Sequence, residues 1–317
     1  MKNNQLMIYG AYGYAGELMV REAVAQGLRP IIAGRDDEKL KPIATELSLE
    51  CRAFGVRNTG SNLQDISVLL NCAGPFSATA EPLARACLAQ QIHYLDITGE
   101  IDIFRKCHAL DEEARQQNVL ILPGAGTDIV PTDCLAAMLK EKLPVATRID
   151  LALSFGTNPS IGTVNTMIES FGKGGLIREG GMLKVVSNAF QMRKIPFQNK
   201  PQWAMTIPWG DVFTSGISTG VPDGAVYMAM PRMSIYMIRL TNPVKGILNT
   251  QFGQKITKRL AGWLMKKGPD AKALEAGRGQ FWGEAEAPDG EKLEMTMSTP
   301  NVYALTATVG IRIAQYC

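Results

Sequence analysis

Three glycines spaced three apart, Gly10, Gly13 and Gly16, directly follow the apolar run "QLMIY" in the stretch "MIYGAYGYAGELMV". Such a chain turns tightly after a strand and brings its backbone close to something as a helix opens. An anion held on the amides of a helix N-terminus is one such thing, and a purely structural turn is the plain alternative. Spacing alone leaves both open.

The flanking sequence supplies the context. Short β candidates recur over the first 143 residues: "QLMIY" (5–9), "RPIIA" (29–33), "CRAFGV" (51–56), "SVLLNC" (67–72), "IHYLDI" (92–97) and "NVLILP" (118–123). Helix-like segments at 15–26, 37–47, 79–90 and 102–117 separate them. The strands are continuously apolar rather than alternating, which predicts a sheet covered on both faces. Strand, helix and strand repeated in this way predict an α/β domain with a doubly wound parallel sheet. The glycine turn then lies between its first strand and first helix, where dinucleotide phosphates bind.

From residue 144 the rhythm changes. "TRIDLALSF" reads as a strand, "IGTVNTMIESFGKGG" (161–175) as a helix, and 203–231 as a long β-like region punctuated by Gly and Pro. A basic helix follows over 244–267, and "GQFWGEAEAPDGEKLEMTMSTP" reads as a hairpin turning at "PDGE". Residues 144–299 are therefore expected to form an α+β domain with a mainly antiparallel sheet. Residues 300–317 read as the start of a C-terminal helix with no stop signal, as if shortened.

Composition excludes several classes. A net charge of +3 is too small to argue for nucleic acid. The apolar run "AVYMAMPRMSIYMI" is broken by Pro231 and Arg232 before it could span a bilayer, and the start of the chain enters its first strand with no room for a secretory leader. Six scattered cysteines and only two histidines, His93 and His108, make neither a disulfide framework nor a zinc site. A cytoplasmic protein without metal is expected.

The second strand ends "IIAGRDD", with Gly34 and Arg35 where the adenosine ribose of a dinucleotide lies. Arginine there favours the 2′-phosphate of NADP, and Gly34 is expected to clear space for it. Asp36 falls one residue late for a ribose and reads as the cap of "DEKLKPIATEL", despite Pro42. The predicted cofactor is NADP(H).

The ends of strands four, five and six carry "NCAGPFS", "YLDITGE" and "LPGAGTDIVPTDC". In an open α/β sheet these ends share one edge, so Tyr94, Asp96, Glu100 and Asp128 are the candidate catalytic groups. Each also has a structural reading: Asp96 as a partner of nearby amides, Glu100 as the cap of the helix beginning "IDIF". Cys134 is expected in the first turn of a helix capped by Thr132, and with no histidine after it reads as a small buried hydrophobe. His93 and His108 read as structural or exposed, and no Tyr-x-x-x-Lys pair occurs.

At these residues the chain resembles the saccharopine dehydrogenase-like NADP-binding family, including bacterial oxidoreductases grouped with trans-acting enoyl reductases. The similar segments are "YGAYGYAGELMV", "AGRDDEKL", "LLNCAGPFS", "YLDITGEI", "PGAGTDIVPTDCLA" and "IPWGDVFTSGISTGVPDGAVYM", in the family's order. The resemblance implies a Rossmann domain that binds NADP(H), followed by an α+β substrate domain. It implies that Gly10, Gly13, Gly16 and Arg35 hold the cofactor, with Tyr12, Tyr14, Ala15 and Gly34 around them. Asn71, Ala73, Gly74 and Pro75 would lie near the nicotinamide half. Thr127, where relatives have an aromatic residue, and Tyr12, where they have Thr or Ser, are departures, and relatives continue beyond the final helix.

The expected function is hydride transfer between NADP(H) and a C=C or C=N bond of a small or acyl-type, lipid-like substrate. A non-catalytic NADP(H)-binding or lipid-associated scaffold is the alternative. A saccharopine dehydrogenase proper is disfavoured, because the second half shows no arginine cluster for several carboxylates. Over 244–267, Val244, Leu248, Phe252, Ile256 and Leu260 recur at helical spacing among six basic residues and no acidic one. Such a helix either packs its stripe on its own domain or touches an anionic membrane surface. A homo-oligomer is compatible with all of these readings.

Overall fold

The structure, a computed structural model, describes residues 5–155, 174–240, 242–244, 250, 253 and 277–317. The helix expected over 161–175 falls outside these residues except for its last two positions. The basic helix expected over 244–267 also lies outside them, apart from isolated positions. The chain forms two compact units. One comprises the residues up to Thr98, Asp102–Asp128 and Tyr303–Cys317; the other comprises Gly99–Ile101 and Ile129–Val302.

The first unit is built on β1 (Leu6–Tyr9), β2 (Ile31–Gly34), β3 (Cys51–Ala53), β4 (Val68–Asn71), β5 (His93–Asp96) and β6 (Ile121–Leu122). They form one parallel sheet in the order β3-β2-β1-β4-β5-β6. Alternate residues of β1 feed two separate cores. Met7 and Tyr9 pack with Leu83, Cys87 and Tyr94 toward α3 (Phe76–Ala89) and α4 (Ile101–His108). Ile8 packs with Met19, Val20 and Ile311 toward α1 (Tyr14–Ala25) and the final helix. Both faces are dry, which accounts for the unbroken apolar strands. The helix α2 (Asp37–Leu47) accommodates Pro42, and the stretch read as one helix over 102–117 divides into α4 and α5 (Asp111–Gln116).

The second unit departs further from the sequence reading. The helix α6 (Val130–Lys142), read with the first domain, belongs here: a Cβ on Gly283 would lie 2.6 Å from Leu139 Cδ1, so the helix lies tight on the sheet. That sheet contains β7 (Arg148–Ser154), β8 (Gly175–Glu179), β9 (Met182–Val186), β10 (Met192–Pro196), β11 (Pro201–Ile207), β12 (Asp223–Ala229), β13 (Gly279–Glu286) and β14 (Lys292–Thr299). Its main path is β10-β11-β12-β7-β13-β14, antiparallel except for β12 beside β7. The region read as β over 203–231 is interrupted by a helix, α7 (Asp211–Thr219). It ends at Gly220 in the left-handed region (φ 69°) and buries Val212 and Ser215, so packing overrides the local β pattern. Two further helices are α8 (Arg232–Leu240) and α9 (Val302–Tyr316).

The chain's last helix, set apart as its own segment in the sequence reading, packs on the first unit. Ala307, Ile311 and Ala314 join the α1-side core. Thr306 Oγ1 lies 2.9 Å from Thr127 Oγ1 and accepts the Thr127 amide at 3.1 Å.

Candidate active site on the parallel sheet

At the carboxyl end of β1 the chain turns on Gly10, whose φ is 85°. A Cβ there would lie 2.8 Å from the Ala73 amide nitrogen, and one on Gly16 would lie 2.2 Å from the Gly10 carbonyl oxygen. Two of the three glycines are thus demanded by the turn itself. Gly13 is the N-cap of α1, in extended backbone, and its carbonyl accepts the first intrahelical bond from the Glu17 amide at 2.8 Å. It offers no side chain to cap the helix. An uncapped helix start beside a bare glycine surface is a seat for an anion.

Gly34 also makes room within the protein. A Cβ on it would lie 2.6 Å from Tyr12 Cε1, so the space above the end of β2 belongs to the Tyr12 ring. The next residue, Arg35, is exposed and, among the described residues, makes no ion pair. Asp36 stands at the N-cap position of α2, and its carboxylate pairs with Lys39 Nζ at 2.9 Å. That pairing holds the Asp36 carboxyl below its ordinary range and leaves the Arg35 guanidinium for another anion. Lys39 Nζ lies 5.6 Å from the centre of the Tyr12 ring, so a second cation flanks the same corner.

At the ends of β4 and β5, three candidates meet in one buried line. Asn71 Nδ2 donates to Tyr94 OH at 3.1 Å and to Thr79 Oγ1 at 3.2 Å, and Tyr94 OH donates to Asp96 Oδ2 at 2.8 Å. Asp96 Oδ1 accepts the amides of Thr98 (3.0 Å) and Gly124 (3.1 Å). Asn71, Tyr94 and Asp96 are wholly buried. Burial pushes the Asp96 carboxyl up to about 6 against the pull of these bonds, and pushes the Tyr94 phenol well above its ordinary value. Asn71 Oδ1 also accepts the Ala73 amide at 3.0 Å, and Thr79 Oγ1 donates to the Ala73 carbonyl at 2.6 Å. The line therefore clamps the turn that carries Gly74 and Pro75, both exposed. A Cβ on Gly74 would meet nothing within 4 Å, so protein packing does not require a glycine there.

The other acids are placed differently. Asp128 is only partly covered, yet burial of its surroundings pushes its carboxyl up to about 7. Glu100 directly precedes α4 and is half-buried. His93 Nδ1 accepts the Leu120 amide at 2.9 Å, a structural role. Cys134 is exposed rather than buried, because α6 begins before Thr132 and turns that thiol outward. Partial burial and the neighbouring Asp133 push the thiol up, against a thiolate. Thr132 does not cap the helix; its hydroxyl bonds Asp211 Oδ1 at 2.8 Å.

Sequence reasoning missed the contribution of α9. The Tyr14 ring meets Tyr303 edge to face at 5.1 Å, so the glycine turn borders on the chain's last helix. Thr127, marked as a departure, is buried where it bonds Thr306. Nothing local in the sequence signals a pairing across 179 positions.

The strand order, the glycine turn between β1 and α1, and the cation at the end of β2 define a doubly wound dinucleotide-binding domain. Residues 6–122 match the family described as the saccharopine dehydrogenase NADP binding domain. A saccharopine dehydrogenase-like oxidoreductase of Rattus norvegicus is 25% identical over 231 residues, 64% of this chain and 53% of the relative. A trans-acting enoyl reductase homologue of Mycobacterium tuberculosis is 28% identical over 205 residues, 58% of this chain and 44% of the relative. The chain thus spans about half the length of the curated relatives it matches. The fold follows that of apo saccharopine dehydrogenase (L-Glu forming) of Saccharomyces cerevisiae, with a TM-score of 0.65 over 99% of this chain and 91% of that one, at 9% identity. Among the described residues no helix is long and apolar enough to cross a membrane, and no group of three or more His, Cys, Asp or Glu could hold a metal ion.

Proposed function

We propose that this chain is an NADP(H)-dependent oxidoreductase acting on a C=C or C=N bond of a small or lipid-like substrate. The observation that carries the reading is the exposed Arg35, without an ion-pair partner among the described residues, beside the uncapped start of α1. Gly10, Gly13 and Gly16 with the α1 amides would hold the pyrophosphate, and Arg35 with Lys39 would hold the 2′-phosphate. When bound, the nicotinamide supplies the hydride. The family match supports the cofactor, and the name of the enoyl reductase homologue supports the C=C bond type.

The chain's own residues then position and protonate. Asn71, Tyr94 and Asp96 hold the 73–75 turn, whose bare Gly74 leaves room for a ring to approach. Asp96, with every oxygen engaged, is a positioning residue in this reading. Asp128 is the proton donor, since a carboxyl near 7 keeps a useful protonated fraction at neutral pH.

The test is titration of NADPH and NADH on the wild type and on Arg35→Ala, followed by NADPH oxidation with enoyl and imine substrates. NADPH affinity is expected to fall at least about tenfold in the variant, the loss of one charge-assisted contact, with NADH affinity unchanged. Unchanged selectivity removes Arg35 from the site, and binding with no turnover favours the scaffold alternative. With turnover in hand, the rate should fall as pH rises through about 7, and Asp128→Asn should lack that inflection.

A further inference from the structure

The helix α9 packs against two parts of the first unit at once. On one side lies α1: a Cβ on Gly310 would lie 2.7 Å from Met19 Cε, and Thr308 Oγ1 donates to Glu22 Oε1 at 3.2 Å. On the other lies the turn that leaves β6. The same Cβ would lie 3.2 Å from the Ala125 carbonyl oxygen, and one on Gly126 would lie 3.1 Å from Thr306 Cγ2. Helix and turn therefore meet closely, and the turn ends in Asp128.

The tethers of that turn differ along its length. The Gly124 amide donates to Asp96 Oδ1 at 3.1 Å and the Ala125 amide to the Asp96 carbonyl at 2.7 Å, so β5 holds the first half. The Thr127 amide donates instead to Thr306 Oγ1 at 3.1 Å, and that hydroxyl donates in return to Thr127 Oγ1 at 2.9 Å. One hydroxyl is thus acceptor and donor to a single residue, 1% exposed, directly before Asp128. Valine in its place has the same shape and can do neither. A buried amide that loses its acceptor is satisfied only if the turn opens toward water.

Opening would act on Asp128 in two ways. The carboxyl is partly covered, and burial is what raises it, so added water returns it toward its ordinary range. The carboxyl would also be displaced, and an error of about 1 Å in a reacting group can cost on the order of a hundredfold in rate.

We propose that Thr306 is a positioning residue: from the chain's last helix it holds the turn that presents Asp128. The proposal rests on the reading of Asp128 as the proton donor, and requires no contact between Thr306 and cofactor or substrate.

The experiment has a readout that needs neither. In protein carrying carbon-13 at the aspartate carboxyls, the Asp128 signal is identified by its loss in Asp128→Asn, and its titration is followed by NMR. In the wild type its midpoint is expected at about 7. In Thr306→Val the midpoint is expected at or below about 6, and in Thr306→Ser, which keeps the hydroxyl, within about 0.3 of wild type. Thr308→Val removes a hydroxyl bond from the same helix to α1 and should leave the midpoint unchanged. With turnover in hand, kcat should fall at least about tenfold in Thr306→Val, with its pH inflection moving down alongside, while NADPH affinity stays within about twofold. A wild-type midpoint or a wild-type kcat in Thr306→Val overturns the proposal. An equal shift in Thr308→Val also overturns it, because the effect is then a general loosening of α9. Those results leave the donor reading standing; a wild-type pH profile in Asp128→Asn removes that reading, and the positioning role with it. If Thr306→Val does not fold, Thr127→Val, which keeps the amide and loses only the hydroxyl, is read by the same criteria with a midpoint at or below about 6.5 required.

Discussion

The two ends of the parallel sheet offer cations to solvent in opposite ways. At the amino ends an open bowl of about 380 Å³ is lined by Gln5, Arg29, Ser48, Glu50, Arg52 and Asp65. Its arginines are engaged: Arg29 Nη2 donates to the Ser48 carbonyl at 2.8 Å, and Arg52 Nε pairs with Glu50 at 2.7 Å. Arg52 Nη1 also donates to the Asn62 and Gln64 carbonyls. At the carboxyl ends a helix start lacks a cap and Arg35 lacks an ion-pair partner among the described residues. A site is where donors remain unengaged, and in a doubly wound sheet that is the carboxyl edge.

Gly16→Ala should break the carboxyl edge most severely. Its Cβ would lie 2.2 Å from the Gly10 carbonyl oxygen, a backbone atom that cannot swing aside, so α1 must move off β1. A loss of more than about 3 kcal/mol in denaturant unfolding is expected, together with loss of NADPH binding. Gly74→Ala is its counterpart. With nothing within 4 Å of the new methyl group, stability should hold within about 0.5 kcal/mol while turnover falls. If both variants bind and turn over NADPH like wild type, the glycine turn is purely structural.

The buried line behind that edge gives a pH signature. Asp96 titrates near 6 when folded and near 4 in an unfolded chain. Between those values the folded state holds a proton that the unfolded state has released, so stability falls as pH rises through that window. The contribution is at most about 3 kcal/mol, complete above about pH 6 and absent below about pH 4. Asp96→Asn can still accept the Thr98 and Gly124 amides, and should lack this slope when unfolding is followed from pH 4 to 8. A slope identical to wild type would mean that Asp96 stays ionised throughout.

Much of the first unit was legible because its signals are local. Unbroken apolar runs gave the strands, and the glycine spacing gave the turn between β1 and α1. Arg35 was singled out by its place at the end of the second strand. What could not be read depended on distant parts of the chain. The glycine at position 34 makes room for the Tyr12 ring, and only the folded corner shows it. The segment Asp211–Thr219 carries β-branched and glycine residues that argue against a helix, yet Val212 and Ser215 are buried in one. The last helix contacts the glycine turn through Tyr303, almost the whole sequence away from Tyr14. Among the acids, burial separates positions that sequence had left equal: Asp96 is enclosed, whereas Asp128 keeps some exposure.

The smallest effect tests the other half of the comparison. Arg52 pairs with an exposed glutamate and bonds two carbonyls near the surface, so Arg52→Ala should cost about 1 kcal/mol of stability. Its side chain is held at the amino end of β3, and NADPH affinity should not change. Titration of NADPH on this variant beside Arg35→Ala therefore reads the two sheet ends against each other. A drop in the Arg52 variant with none in the Arg35 variant would place the phosphate at the amino-end bowl and invert the assignment. A drop in Arg35→Ala alone shows that an unengaged guanidinium, and not the amino-end bowl, locates the cofactor.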